Sequence, residues 1–244
     1  MKINQEMKRK IVQVAAFGYS NTYIGNFVSG QIYKGSWKQF CNPGMNCYSC
    51  PAARLACPIG AMQAVSGSMN FKLSFYVIGF VLALGVVFGR AICGFFCPFG
   101  LIQELIYKIP FPKKKLWKWL TYVKYVLLAV FVVIMPVTMV NELGMSSPAF
   151  CEYICPAGTL EGGIPLLSTH PELRATLGAL FSVKACILII TLIGCLSVCR
   201  FFCKVMCPLG AIYGLLNKVS IYHMECNKKL ASHVENVITY VRWM

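Results

Sequence analysis

Four short strings in this chain set a cysteine directly before proline and a glycine two residues further on: CPIG at Cys57, CPFG at Cys97, CPAG at Cys155 and CPLG at Cys207. Three of them carry another cysteine four residues upstream, giving Cys93/Cys97, Cys151/Cys155 and Cys203/Cys207. Thiols clustered this tightly suit metal ligation, and C-x-x-x-C-P matches the last ligands of iron–sulfur sites, whereas all-cysteine zinc sites favour C-x-x-C knuckles. Proline fits the first turn of a helix, where its missing N–H costs nothing, so each CP cysteine is expected at a helix N-terminus. There the helix dipole and unpaired N–H groups favour the thiolate and can donate to sulfur. The glycine leaves room for close approach of a cluster or a neighbouring helix.

These motifs must be positioned by elements suited to an apolar solvent. Of the 244 residues 57% are hydrophobic and 13% charged, and the mean hydropathy is +0.63. That balance argues for a bilayer. The formal net charge of +15 is spread in short basic runs beside apolar segments, a topology signal and not a nucleic-acid patch. Four spans are expected: Ile11 to Ser29, Phe71 to Ile92, Leu120 to Val140 and Val183 to Val198. The first carries Gln13, Asn21, Thr22 and Asn26; its rival reading, a cleaved leader, lacks a compact apolar core and a small-residue cleavage site. Basic residues around Lys8–Lys10, Lys113–Lys118 and Arg200–Lys218 put both termini on the cytoplasmic side.

The chain is also duplicated. CPFGLIQELIYKI, from Cys97, aligns without gaps on CPLGAIYGLLNKV, from Cys207. Residues 1–110 form the first repeat, 111–222 the second, and 223–244 a tail. Each repeat then has a span, an outer CP-x-G element, a second span and an inner one. This sorts the cysteines by face: Cys93, Cys97, Cys203 and Cys207 complete an inner [4Fe–4S] ligand set, two from each repeat. An outer [4Fe–4S] set draws on Cys151, Cys155 and Cys57, with one of Cys47 and Cys50 spare. Cys50 is the favoured partner of Cys57, because Ala53 stands where the repeat would place one. Two clusters about 30 Å apart would be far for one electron step, unless the CP-x-G backbone enters the membrane inside protein.

Plainer readings exist for the other residues. A four-thiolate zinc site or outer disulfides involving Cys41 are the structural rivals. Cys186 and Cys195, inside a span, read as small buried hydrophobes, and Cys199 as a bystander. His170, His223 and His233 lie outside the spans, leaving no histidine pair for haem. Glu142, Glu152 and Glu161 read as a solvated rim beside the outer motif. There is no P-loop, no G-x-G-x-x-G after a strand and no G-x-S-x-G, so nucleotide-driven and hydrolytic chemistry have no residues to rest on.

The strings CNPGMNCYSCPAARLACPIGAMQ, GRAICGFFCPFGLIQELIYKIP, CEYICPAGTLEGGIPLL and CRFFCKVMCPLGAIYGLLNKVS resemble polyferredoxin-like membrane proteins with a 4Fe-4S binding domain. That family includes the membrane ferredoxin of periplasmic nitrate reduction, the nitrous oxide reductase regulator and a cytochrome oxidase accessory protein. The resemblance runs from Cys41 to Ser220. It implies a prokaryotic inner-membrane protein that passes electrons between a quinol or cytoplasmic donor and a reductase or maturation pathway. The matching ligand positions are Cys93, Cys97, Cys203 and Cys207, with Cys57, Cys151, Cys155, Cys47 and Cys50 on the other face. The tail, ECNKKLASHVENVITYVRWM, departs from relatives that continue into a soluble ferredoxin, since it offers only Cys226. A separate ferredoxin-type subunit is one expectation, a truncated relative the other.

The expectation is an all-α integral membrane protein of four spans in two pseudo-symmetric repeats, with short CP-x-G helices at both faces. It would be an electron-transfer component and not a stand-alone catalyst, holding two [4Fe–4S] clusters. The competing function is metal handling for cofactor assembly, or redox sensing.

Overall fold

The structure, a computed structural model, describes residues 2–66, 74–139, 147–176 and 178–222. The tail and its Cys226, His223 and His233 lie outside the described residues, as does Glu142. Among the described residues the fold is all-helical. The only extended pairing among them is an isolated parallel bridge between Cys41 and Ala56.

Helix α1 (Lys2–Ser20) is followed by a long loop, α2 (Pro58–Ser66), α3 (Ser74–Phe88), α4 (Ala91–Phe95) and α5 (Pro98–Tyr107). Then comes α6 (Leu120–Thr138), whose middle widens into a π-helical stretch at Leu128–Ile134. The second half continues with α7 (Phe150–Ile154), a π-helical turn. Helix α8 (residues 156–169) is itself widened at Thr159–Gly163. The last elements are α9 (Ala179–Ser197), α10 (Phe201–Val205) and α11 (Pro208–Leu216). The sequence repeat is thus a repeat of elements. A helix carrying the first cysteine (α4, α7, α10) hands on to one opened by Cys-Pro (α5, α8, α11).

Among the described residues two helices, α6 and α9, are long and apolar enough to cross a bilayer, with mean hydropathies of 2.2 and 2.4. Only 17% of each apolar window is buried inside the protein, so residues such as Val133, Val137, Ile189 and Ile193 face outward. Two expected spans come out differently. The segment Ile11 to Ser29 is not one helix: α1 ends at Ser20, where the Ser20 hydroxyl and Asn21 amide fold back onto the carbonyls of Ala16 and Phe17. The segment Phe71 to Ile92 is described from Ser74, and its helix stops at Phe88 because Gly89 turns into the left-handed region (φ 51°). The resulting 15 residues make α3 short for a span, about 22 Å.

Among the described residues the helices enclose a main core, with a small satellite cluster around Cys50. Tyr213, Phe99, Phe150, Phe202, Ile59 and Ile92 are its largest fully buried hydrophobic side chains. Each contributes about 1.5–3 kcal/mol by leaving water. Cys57, Cys97, Cys155 and Cys207 lie in that same core, with Cys93, Cys151 and Cys203 packed against it. One ionic lock closes the end near α5. Glu104 accepts from Arg9 (2.8 and 3.0 Å) and from Arg200 (2.8 and 2.5 Å), joining α1 to the loop before α10. Arg200 also donates to the carbonyl of Cys93 (2.8 Å). It holds a left-handed φ of 53° to do so, a conformation rare outside glycine.

Candidate iron–sulfur centres

Each CP cysteine stands where the spacing predicts, directly before the first helical residue. Cys97, Cys155 and Cys207 are extended (ψ 111°, 107° and 113°), and proline occupies the first turn that follows. The thiol fills the role usually played by a capping oxygen. The Gly158 N–H donates to Cys155 Sγ (3.4 Å) and the Gly210 N–H to Cys207 Sγ (3.3 Å). The N–H groups of Gly60 and Gly100 also lie toward Cys57 and Cys97, though at Cys97 no capping hydrogen bond closes.

The four glycines are also spacers. A Cβ added at Gly100 would sit 3.7 Å from Cys97 Sγ, and one at Gly210 3.6 Å from Cys207 Sγ. At Gly60 it would meet Cys151 Sγ at 3.8 Å, and at Gly158 both Cys47 and Cys155 sulfurs, at 3.8 and 3.9 Å. Any longer side chain would project among the thiols. This is the room that a bulky inorganic group needs.

The cysteines fall into two sets. Cys93, Cys97, Cys203 and Cys207 are mutual neighbours: Cys203 and Cys93 act on Cys97, and all three others act on Cys207. Cys47, Cys57, Cys151 and Cys155 form the second set, with Cys57 and Cys47 acting on Cys151, and Cys155 and Cys57 acting on Cys47. Burial, followed by these neighbouring thiols, pushes the Cys93 and Cys151 thiols up to about 12. Binding iron there must displace protons. Positive charge is at hand to offset four thiolates: Arg200, Arg90 and Lys124 lie near Cys93, and Lys184 near Cys151. Among the described residues no group of three or more His, Cys, Asp or Glu side chains closes around a single metal ion.

Of the two first-repeat candidates, the structure brings Cys47 to the second set. Cys50 lies with Ala52 and Ala53 in a small cluster against which Cys47 also packs, its sulfur 4.0 Å from Asn21 Oδ1, and none of the second-set thiols acts on it. Cys41 is buried and unpaired, and no disulfide joins the described cysteines. Cys186 faces outward and is not buried, while Cys195 is fully buried with its thiol directed at Gln103 Oε1 (3.6 Å).

Two expectations are corrected, one about a residue and one about distance. Glu161 is not a solvated rim residue. It is 9% exposed and accepts from the Cys47 N–H (3.0 Å), and burial pushes its carboxyl up to about 7 against that hydrogen bond. Glu152 remains partly exposed and pairs with the Ser147 hydroxyl. The sites are also not separated by a membrane thickness. The N–H of Met45 faces Cys97 while the N–H of the next residue, Asn46, faces Cys57. One peptide step plus two N–H···S contacts limits the separation of those two sulfurs to roughly 12 Å. The Tyr213 hydroxyl anchors this loop on the carbonyl of Pro43 (2.9 Å). Gly44 packs so closely on Cys97 that a Cβ there would fall 2.5 Å from the Cys97 Cα. CNPGMNC folds back between the motifs, which no local spacing signals.

The chain is similar to two proteins of Methanocaldococcus jannaschii. It is 30% identical over 173 residues to "Uncharacterized protein MJ0750", covering 67% of this chain and 62% of that protein. It is 31% identical over 109 residues to "Uncharacterized protein MJ0749", covering 34% and 44%. The chain therefore spans less than two thirds of the length of either relative. No solved structure matches it. The sequence pattern of the 4Fe-4S binding domain matches four times, at residues 55–76, 73–118, 123–168 and 180–223, each match containing one CP-x-G motif. These matches cover more than half of the chain, and each takes in one of the four Cys-Pro helix starts, at Pro58, Pro98, Pro156 and Pro208, that meet at the two sets of thiols: the chain belongs to the 4Fe-4S binding domain family.

Proposed function

We propose that this chain is a membrane protein holding two [4Fe–4S] clusters and passing single electrons between them. The ligands would be Cys93, Cys97, Cys203 and Cys207 at one site, and Cys47, Cys57, Cys151 and Cys155 at the other. The observation that carries the reading is the loop Pro43–Cys47, which lies against both sets at once. A [4Fe–4S] cluster supplies a one-electron carrier whose potential depends on burial, charge and hydrogen bonds to sulfur. The residues of this chain do the rest. Cysteines from both repeats hold each site together, and glycine N–H groups donate to sulfur. Arg200, Arg90 and Lys184 offset charge, and Phe99, Phe202 and Phe150 exclude water.

The bilayer reading rests on the outward apolar faces of α6 and α9, and on Trp117 and Trp119 at the mouth of α6, 78% and 85% exposed beside Lys113–Lys118. Such a belt suits a membrane interface with a cytoplasmic basic side. Within this reading, residues 1–110 and 111–222 are two repeats of a multi-pass inner-membrane protein with four membrane-embedded helices, α1, α3, α6 and α9. The short α3 would be accommodated by protein contacts on its flanks. Its partners would be a soluble ferredoxin-type subunit or a reductase, with quinol as a candidate donor.

Anaerobic purification from membranes, iron and acid-labile sulfide assays, and EPR after dithionite test the proposal. About eight irons and eight sulfides per chain are expected, with two distinguishable signals. Iron without sulfide would replace it with a metal-handling role.

A further inference from the structure

The sixth residue after each CP cysteine is buried: Gln63, Gln103, Glu161 and Tyr213 are 0%, 1%, 9% and 0% exposed. The two glutamines, both from the first repeat, make the same set of bonds at different sites. Gln63 Oε1 accepts from the Phe150 N–H (2.8 Å), and its Nε2 donates to its own helix at Ile59 O (3.2 Å) and to Cys151 Sγ (3.5 Å). Gln103 Oε1 accepts from the Phe202 N–H (3.1 Å), and its Nε2 donates to Phe99 O (3.3 Å) and to Cys203 Sγ (3.3 Å). A backbone N–H can only donate, so the amide oxygen must face it. The NH2 group is thereby aimed at the carbonyl and the sulfur. The Cys195 thiol, also directed at Gln103 Oε1, reinforces that orientation.

Each amide therefore spans the repeat boundary. It fixes the backbone just before the first cysteine of a C-x-x-x-C-P pair and places an N–H on that cysteine's sulfur. We propose that Gln63 and Gln103 are positioning residues that raise the reduction potentials of the two sites, Gln63 through Cys151 and Gln103 through Cys203. This rests on the cluster reading above. The physical ground is that a donor to a ligand sulfur stabilises the more negative reduced cluster more than the oxidised one. Glu161, lacking a donor when ionised, and Tyr213, bonded to Pro43, occupy the equivalent positions without an N–H on sulfur.

The test is potentiometric titration with EPR on the membrane-purified protein. Gln103→Leu should lower the midpoint of the signal that depends on Cys203 by about 59 mV, a tenfold change in the oxidised-to-reduced ratio at fixed potential for one electron. The signal that depends on Cys151 should stay in place. Gln63→Leu should do the reverse. Midpoints unmoved in both variants, or both signals moving together in each, would overturn the proposal while leaving two clusters intact. No cluster signal in the unsubstituted protein would sink the cluster reading and this proposal with it. If a variant fails to assemble, pulsed EPR of unsubstituted protein carrying 15N in the glutamine side chains decides the matter. A 15N coupling at both clusters supports the role, and its absence at both overturns it.

Discussion

Replacing Cys47 by alanine and, separately, Cys50 by alanine tests how the second cysteine set is built. Cys47 Sγ lies 3.8 Å from the point where a Gly158 Cβ would stand, within reach of Cys57 and Cys155, and its N–H is held by Glu161. Cys50 sits three residues away, its sulfur facing the Ala52 and Ala53 N–H groups and, at 4.0 Å, Asn21 Oδ1, and no second-set thiol acts on it. Cys47→Ala removes one of four ligands from a site sealed in the core, so the whole outer cluster should go, taking iron from about eight to about four per chain. Cys50→Ala loses a weak S–H···O contact, the sulfur that the Ala52 and Ala53 N–H groups face and a small volume, about 1–3 kcal/mol, with iron unchanged. Iron and sulfide per chain, measured anaerobically beside the EPR of the surviving cluster, reads the difference. If Cys50→Ala halves the iron while Cys47→Ala spares it, the assignment of the loop is refuted.

Cys97→Ala and Cys207→Ala should each abolish the same EPR signal and spare the other, since their thiols are neighbours although they belong to different repeats; loss of two different signals would break the cross-repeat set. Glu104→Gln should destabilise the fold by about 3–5 kcal/mol in detergent unfolding, because it strips the carboxylate from the largely buried Arg200 and from Arg9. Burial alone would raise the Glu104 carboxyl, but the hydrogen bond from Arg9 and the charges of Arg200 and Arg9 outweigh it and hold it below the usual carboxylate range. Its contribution is therefore present above the unfolded value of about 4.3 and lost as pH falls through the lower folded value. Thermal unfolding as a function of pH should show that acid loss in the unsubstituted protein, and a flatter profile in Glu104→Gln.

Much of the site was legible because the chemistry is local. Cys-Pro at a helix start, glycine two residues later, and a cysteine four residues before are short-range geometry, and the chain folds them as their spacing requires. The all-helical class and the apolar character of α6 and α9 followed from composition and hydropathy in the same way. The duplicated strings, too, were visible as strings, and they announced that each C-x-x-x-C-P pair would need a partner.

What only the tertiary structure decided is what meets what across the repeats. Both Cys47 and the more deeply buried Cys50 turn away from solvent, but it is Cys47 that meets Cys57 and Cys155, in a CNPGMNC loop pinned by Tyr213 and pressed against Cys97, contacts made by residues far apart in the chain. Glu161 looked like one more solvated carboxylate until the turn around it closed over Cys47. Gln63 and Gln103 carried no signal beyond being polar residues in apolar helices, since their partners lie 88 and 100 residues away. The residue types and their local spacing determine which groups can bind iron, because bonds within a few residues obey helix geometry. The assembly of complete sites, and the loop that joins them, depends on long-range packing, where a side chain's role is set by the surface it happens to meet.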